Sequence, residues 1–235
     1  MAGPGLSPPD VGAWPATYRE AVALQETWRE RVSLSPLPRP PGSVAGVDAA
    51  YEGPRGRVFG AAVLFSYPKL EPLEEAGAAM DCPFPYIPGL LSFREIPVLL
   101  KALSRLSRLP DLILADGQGI AHPRGLGLAS HLGVLVNLPV IGVAKSRLVG
   151  EGEEPDREAG AWRPLLLEGR TVGLILRTQT GRRPLYVSPG HLVSLEDCRE
   201  IVLGCVRRYR LPEPLRAADR LSRRLRRAAC PSPSG

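Results

Sequence analysis

The sequence predicts a single α/β domain in which a mixed sheet is flanked by helices. Short apolar segments alternate with amphipathic ones in the order βββαβαβ, and further strands and helices follow, which is typical of a mixed α/β sheet. The 235 residues are enough for one large domain or two small ones. We expect one domain, because no repeat or low-complexity segment divides the chain.

The first elements are a flexible leader and a helix. Residues 1–16 are rich in proline and glycine, whereas residues 17–32 place apolar side chains on one helical face. A proline-rich connector, residues 36–41, leads to strands predicted at residues 44–51 and 58–65, joined as a hairpin. A weaker third strand is predicted near residues 76–80.

A stiff loop with several prolines, residues 83–92, precedes the next helix. The start of that helix is ambiguous. Ser92 and Glu95 resemble a capping box, but Pro97 fits better at the first helical position. Either choice places Glu95 at the entrance of the helix.

The second half alternates strands and helices. A buried strand is expected at residues 112–115, a helix near residues 126–136 and a strand at residues 140–143. A hairpin or meander follows at residues 165–187 and a turn at residues 188–191. Ser194 is predicted to cap a helix that runs through Tyr209.

Charge and composition narrow the class of protein. The net charge of +6 favours a polyanionic partner. Residues 207–227 carry nine arginines above an apolar stripe, a helix that could follow phosphates or simply be solvated. Only three lysines occur, one of them Lys145. The four cysteines form neither a Cys-x-x-Cys pair nor a zinc pattern, and we expect Cys198 and Cys205 to be small core residues.

The sequence predicts neither a membrane protein nor a secreted one. No segment approaches the roughly 18 apolar residues of a membrane span. The first 15 residues lack the basic start and apolar core of a signal peptide. We therefore expect a cytoplasmic protein.

The segment around Asp116 is the most informative one. Asp116 ends the predicted strand at residues 112–115, and Gly117 and Gly119 follow it. Open α/β sheets bind ligands at the carboxyl ends of their strands, and glycines let a ligand approach the backbone closely. The structural alternative is an Asp-Gly turn that only ends the strand.

Asp48, Glu95 and His191 are candidate partners of Asp116. Carboxylates with a histidine can hold Mg²⁺, which prefers oxygen ligands and can promote phosphodiester hydrolysis. Each residue also has a structural alternative. Asp48 could be a solvent-facing carboxylate on an edge strand, Glu95 a partner of the helix dipole, and His191 an ordinary turn histidine.

Five segments resemble the endonuclease V family of deoxyinosine 3′-endonucleases, in the same order. They are residues 44–48, 85–89 with 93–95, 116–124, 142–146 and 188–191, and the resemblance spans about residues 17–210. It implies a ribonuclease H-like fold and Mg²⁺-dependent hydrolysis, with Mn²⁺ able to substitute. The bond cut would be the second phosphodiester 3′ of the deaminated base, leaving 3′-hydroxyl and 5′-phosphate ends.

The resemblance also assigns residues to the reaction. Asp48 and Asp116 would bind the metal directly, and Glu95 and His191 would complete the site through waters. Lys145 would contact the scissile phosphate as a point charge.

A wedge and a base pocket follow from the same resemblance. The wedge would fill the gap left by a displaced base, unless its tyrosine packs in the core; it comprises Pro85, Tyr86, Ile87 and Pro88. The pocket would recognise the edge of hypoxanthine, unless its glycines serve turns only; it comprises Gly89, Leu91, Gly117, Gly119 and His122. His122 could support the pocket or the metal shell, or equally be a structural histidine, and His131 is expected to pack or to face solvent.

The arginine-rich helix and tail, residues 211–235, match nothing in the family pattern. We expect them to follow a catalytic domain at residues 17–210; they do not change the assignment of the catalytic residues, and they leave further nucleic-acid contacts open. The resulting hypothesis is a monomeric repair endonuclease that acts on deoxyinosine in DNA. The alternatives are an inosine-specific endoribonuclease acting on RNA and a non-catalytic module that binds damaged DNA. The carboxylate set argues against the last, because binding alone needs no metal site.

Overall fold

The computed structural model of the protein describes residues 14–53 and 56–229. Its strands are β1 (Ser43–Tyr51), β2 (Arg57–Ser66), β3 (Pro72–Asp81), β4 (Leu112–Ala115), β5 (Val140–Ala144), β6 (Trp162–Leu167), β7 (Arg170–Leu176) and β8 (Leu185–His191). Its helices are α1 (Tyr18–Trp28), α2 (Leu91–Leu103), α3 (Leu128–Val136), α4 (Leu195–Gly204) and α5 (Glu213–Ala229), and a 3₁₀ turn (Arg29–Arg31) follows α1.

The strands form one mixed sheet in the order β3-β2-β1-β4-β5-β8-β7-β6. β1, β4 and β5 run parallel to one another. β2 runs antiparallel to β1 on one side, and β8 runs antiparallel to β5 on the other. The predicted mixed α/β sheet flanked by helices is confirmed.

Both faces of the central strand β4 are buried. Ile113 and Ala115 face the core that contains α2 and α3, whereas Leu112 and Leu114 face the core that contains α4. Side chains alternate along a strand, so a strand covered by helices on both faces contains only apolar residues. This is why the apolar segment before Asp116 predicted a buried strand correctly.

Helix α5 packs directly on the sheet. Its Ala217, Ala218 and Leu221 contact apolar side chains of β2. A Cβ atom built at Gly46 of β1 would lie 2.1 Å from the carbonyl oxygen of Pro214. The boundary expected after residue 210 therefore does not coincide with a break in packing, because the C-terminal helix shares the core of the sheet.

The close approach at Gly46 leads to a prediction about stability. We expect Gly46→Ala to lower the free energy of unfolding by about 2–3 kcal/mol, because a methyl group there would overlap backbone atoms of α5. Gly42→Ala is the control, since its Cβ would meet Asp111 at an ordinary 3.4 Å, and it should cost less than about 0.5 kcal/mol. Urea denaturation measures both values. Equal stabilities of the two variants would show that α5 does not press on Gly46.

The start of α2 differs from both predicted alternatives. The helix begins at Leu91, the side chain of Leu90 cannot cap it, and Pro97 lies inside it. A proline within a helix has no N–H to donate to the carbonyl four residues earlier, here that of Phe93. The indole Nε1–H of Trp14 donates to this carbonyl oxygen at 2.8 Å instead. Glu95 consequently lies beyond the first turn of the helix and is not at its entrance.

Three further boundaries were predicted incorrectly. Residues 188–191 are the last residues of β8 and not a turn, because they pair with β5. The helix capped by Ser194 ends at Gly204, although the predicted capping role of Ser194 is confirmed. β3 is ten residues long, because it pairs with β2 along nearly its whole length.

His131 packs in the core, which is one of the two placements expected for it. Its ring stacks on Trp14 at a centroid distance of 5.9 Å and contacts Trp28 and Phe93 edge-on. Burial lowers the pKa of His131 to about 3, so the ring is neutral at physiological pH. Trp14 therefore belongs to the packed structure, whereas residues 1–13 of the expected leader lie outside the described part of the chain.

Two of the four cysteines, Cys198 and Cys205, are buried in the core beside α4 as predicted. Cys230 lies outside the described residues. Within residues 14–53 and 56–229, no helix has both the length and the apolar character needed to cross a bilayer.

Candidate active site

The parallel pairing of β1 with β4 brings Asp48 and Asp116 together. Val47 and Ala115 are opposite each other in the register, and the amide of Asp116 donates to the carbonyl of Val47 at 3.4 Å. The two aspartates directly follow this pair of residues. β4 ends at Ala115 whereas β1 continues to Tyr51, so an edge of β1 is open where the carboxylates lie.

Glu95 reaches the same edge from α2. Its Oε1 accepts a hydrogen bond of 2.6 Å from the hydroxyl of Tyr51, at the end of β1. The charges of Asp48 and Asp116 both raise the pKa of Glu95, which shows that the three carboxylates share one electrostatic environment. The structure thus brings together three of the four acidic or imidazole groups predicted from the sequence.

Burial makes two of these carboxylates weak acids. Burial, with the charges of Asp116 and Asp219, raises the pKa of Asp48 to about 7, although the Ser222 hydrogen bond and Lys145 lower it. Burial raises the pKa of Glu95 to about 8, and the Tyr51 hydroxyl and Arg94 only partly oppose it. The cationic groups of the protein therefore do not offset the cost of ionising these side chains together.

These donors fit a hard divalent cation. The carboxylate oxygens lie close together on adjacent elements, and burial disfavours their ionisation. A bound divalent cation would supply the positive charge that the protein does not provide there. Each carboxylate has a protein partner in this structure; that of Asp116 is the ammonium of Lys145. Across the part of the chain that the structure describes, no three carboxylate, imidazole or thiol groups lie close enough to form a preassembled cage.

The raised pKa values predict how stability depends on pH without metal. Between pH 6.5 and 8.5 both carboxyls are already ionised in the unfolded chain, whereas Asp48 and Glu95 still titrate in the folded protein. The folded state therefore binds more protons at these two carboxyls, and the free energy of unfolding should fall by about 2 kcal/mol as pH rises through this window. The histidines oppose the fall only weakly: His122 and His131 stay neutral in the folded protein, whereas in the unfolded chain they lose protons from about pH 6.5, which adds about 0.4 kcal/mol of stability each across the window.

Thermal denaturation in a chelator measures this dependence. Glu95→Gln should remove the larger part of it, and added Mg²⁺ should stabilise the protein more at pH 8.5 than at pH 6.5. Stability in chelator that rises with pH would contradict the electrostatic description of the site.

His191 does not join the carboxylates, contrary to the prediction. It pairs with Val140 at the beginning of β5, whereas Ala115, next to Asp116, is level with Gly142. Because β8 runs antiparallel to β5, His191 is displaced roughly 10 Å along the strands from the carboxylate edge. Its Nδ1 accepts a hydrogen bond of 3.1 Å from the amide of Ser33. In this geometry His191 joins β8 to the segment after α1.

Helix α5 supplies two site residues that the sequence prediction missed. The hydroxyl of Ser222 donates to Oδ2 of Asp48 at 2.6 Å, and the charge of Asp219 contributes to the raised pKa of Asp48. The helix that has no counterpart in the resemblance therefore contacts the carboxylate cluster. A signal existed in the sequence: Asp219 and Ser222 lie one helical turn apart and adjoin the apolar stripe of an otherwise arginine-rich helix.

A cavity of about 370 Å³ adjoins Asp116 and Lys145. It brings together most of the residues predicted for the wedge and the base pocket. These lining residues are Tyr86, Ile87, Pro88, Gly89, Leu91, Gly117 and His122. Tyr86 is 66% exposed, so the alternative in which it packs in the core is wrong.

Two predicted residues lie outside this cavity. Pro85 is exposed on the loop that precedes it. Gly119 donates its amide to Oγ of Ser188 at 2.7 Å, and a Cβ at this position would lie 2.0 Å from the carbonyl oxygen of Pro189. Gly119 therefore permits the loop after β4 to pack against β8 and is not part of the pocket wall.

His122 holds the end of the wedge loop in place. Its Nε2 lies 3.0 Å from the carbonyl oxygen of Gly89, which also accepts from Arg124 at 2.9 Å and from Gln25 at 3.0 Å. Nδ1 accepts the amide of Arg124 at 3.2 Å, so Nε2 carries the proton. Burial lowers the pKa of His122 to about 4. A neutral histidine thus holds the backbone at Gly89, which lines the cavity.

The ribonuclease H-like sheet carries Asp48 within β1 and Asp116 just after the adjacent parallel strand β4, an arrangement that indicates a nuclease. A family model described as Endonuclease V matches residues 26–220, which include Asp219. The chain belongs to the endonuclease V family.

Individual relatives agree with this assignment. Endonuclease V of Nostoc punctiforme is 50% identical over 211 residues, covering 89% of this chain and 95% of that protein. The crystal structure of endonuclease V from Streptomyces avermitilis superposes with a TM-score of 0.88 at 47% identity, over 92% of this chain and 96% of that one. A third relative is endonuclease V of Ciona intestinalis, whose crystal structure is in complex with a 24mer DNA containing an inosine followed by a ribo-adenosine. It superposes with a TM-score of 0.77 at 28% identity, over 90% of this chain and 98% of that one.

Proposed function

We propose that this protein is a Mg²⁺-dependent endonuclease that recognises deoxyinosine in DNA. It hydrolyses the second phosphodiester bond 3′ to the deaminated base and leaves 3′-hydroxyl and 5′-phosphate ends. The observation that carries the proposal is the adjacency of two features, the carboxylate cluster and a base-sized cavity behind an exposed tyrosine, which share Asp116. The Ciona relative, whose structure contains inosine DNA, supports the same substrate class.

The metal would be held by the carboxylates on adjacent elements. Asp48 and Asp116 would bind it directly, and Glu95 would bind it through a water. When bound, Mg²⁺ supplies charge stabilisation at the phosphate and a nucleophilic water at neutral pH. Mn²⁺ is the expected substitute, because carboxylate and water oxygens suit both ions.

The remaining residues position the substrate. Lys145 is half exposed beside Asp116, where its ammonium can bind an oxygen of the scissile phosphate once it leaves the carboxylate. Tyr86 and Ile87 fill the gap that an extruded base leaves in the stack. Gly117 and Leu91 line the cavity beside the carboxylates, where their backbone groups can contact the edge of the base.

One chain supplies all of these groups, and we propose that the protein acts as a monomer. We also propose that it works in the cytoplasm, on intracellular DNA.

Matched oligonucleotides test the substrate class. Purified protein would be incubated with DNA duplexes that differ only in deoxyinosine or deoxyadenosine at one position, and with the corresponding inosine-containing RNA strand. Each reaction is run with Mg²⁺ and with EDTA. We expect cleavage of the deoxyinosine DNA only with Mg²⁺ and little cleavage of the deoxyadenosine control. Preferential cleavage of RNA would identify an endoribonuclease, and metal-independent binding without cleavage would identify a binding module.

A further inference from the structure

A second cavity, of about 740 Å³, begins at Lys145 and extends over α5. Its walls carry six arginines, which we call the arginine groove: Arg182, Arg208, Arg210, Arg216, Arg220 and Arg223. Asp219 is the acidic residue among the lining side chains. The groove is therefore strongly cationic, unlike the first cavity.

Part of the groove is rigid. The guanidinium of Arg216 stacks on the ring of Tyr209 at 3.5 Å from its centroid and pairs with Glu213 at 2.7 Å. Arg210 donates to the carbonyl oxygen of Pro184 at 3.2 Å. Arg223 pairs with Asp219 at 2.9 Å. These contacts preorganise the groove, because the side chains that form them lose little further freedom on binding.

Other cationic groups in the groove are free to reach an incoming ligand. Arg182, Arg208 and Arg220 are exposed. Tyr209, whose ring lies beneath Arg216 at 3.5 Å and Arg208 at 5.7 Å, helps to orient these cations along the groove. A row of guanidinium groups along a groove is typical of a surface that follows a nucleic-acid backbone, and its extent favours a nucleic-acid strand over a small anion.

The groove is continuous with the candidate active site. Lys145 lines both cavities, and Asp219 links the groove to Asp48 through its charge. A strand that enters the first cavity with a base and passes Lys145 with its scissile phosphate would continue into the groove.

We propose that the arginine groove binds the backbone phosphates of the substrate strand on the 3′ side of the scissile bond. This inference rests on the proposed function, which places the base in the first cavity and the cut 3′ to it. The apolar stripe of the arginine-rich helix contacts the sheet, and its opposite face contributes to the path of the strand.

The salt dependence of binding tests the groove independently of cleavage. Two deoxyinosine duplexes are used, one with a long 3′ arm and one whose 3′ arm ends just beyond the scissile bond. The affinity for each is measured in EDTA by fluorescence anisotropy at several salt concentrations. On the long arm, the double variant Arg208→Ala/Arg220→Ala should lower the slope of log K against log salt by about 2, since each lost phosphate contact contributes about 0.9. On the short arm its slope should equal that of the unmodified protein.

Arg224→Ala/Arg227→Ala is the matched control, because it removes the same charge from α5, the helix that carries Arg220, outside the groove. Arg224 pairs with Glu75 of β3, and the control slope should change by less than about 0.5. Equal slopes for the double variant and the unmodified protein on the long arm would overturn the proposal, and so would equal losses on both arms. Cleavage by the unmodified protein is assayed separately, so a protein that binds as expected but does not cut would refute the proposed function alone.

Discussion

Asp116→Ala is expected to abolish cleavage of deoxyinosine DNA, with a rate loss of about a thousandfold or more. The substitution removes a carboxylate next to Asp48 in the register of the parallel strands and the partner of Lys145. Loss of a direct metal ligand removes several kcal/mol of stabilisation from the transition state. Binding of the substrate in EDTA should remain within about threefold, because the cavity and the groove are unchanged.

Asp156→Ala is the control for this prediction, since Asp156 is an exposed carboxylate that pairs with Arg163 at 3.3 Å, away from the carboxylate cluster. Single-turnover nicking and anisotropy distinguish chemistry from binding. If Asp116→Ala cuts at the rate of the unmodified protein, the metal assignment is wrong.

Tyr86→Ala should lower kcat/KM on a deoxyinosine duplex about 10- to 30-fold and affect a single-stranded substrate much less. Tyr86 is an exposed side chain on a loop whose last carbonyl is held by three donors. Extruding a base costs a few kcal/mol of stacking and pairing, and an aromatic ring recovers about 1–3 kcal/mol of it by stacking. A single strand has little stacking to replace, so the wedge matters less there.

Tyr18→Ala is the matched control, because Tyr18 is also exposed, at 56%, but lies outside the cavity. Kinetics on paired duplex and single-stranded substrates give the comparison. An equal loss of activity on both substrates would show that Tyr86 contributes to the pocket in general and does not act as a wedge.

The central sheet and two of its carboxylates could be predicted from the sequence, because the signals are local. A strand buried on both faces is uniformly apolar, which located β4 and therefore Asp116. Asp48 was assigned from its place on the predicted strand at residues 44–51 and from the resemblance of residues 44–48 to the endonuclease V family. The signal for the exposed tyrosine of the wedge was also local, because closely spaced prolines keep its loop rigid.

The remaining features depend on contacts between distant segments. The motif that contains His191 predicted a site residue, but the antiparallel pairing of β8 with β5 carries it away from the carboxylates. Asp219 and Ser222 reach Asp48 only because Gly46 lets α5 approach β1 closely. The start of α2 was missed because the carbonyl opposite Pro97 is satisfied by Trp14, which is far away in the sequence.

Mapping both ends of the nick in a duplex with one deoxyinosine tests the central claim most directly. The duplex is labelled in turn at its 5′ and 3′ ends and incubated with the protein and Mg²⁺. We predict a single cut at the second phosphodiester bond 3′ to the inosine, with a 3′-hydroxyl that a polymerase can extend and a 5′-phosphate that a phosphatase can remove. Cuts at the inosine itself, or at positions independent of it, would contradict the assignment of the cavity to the base and of Asp48 and Asp116 to the cleaved bond.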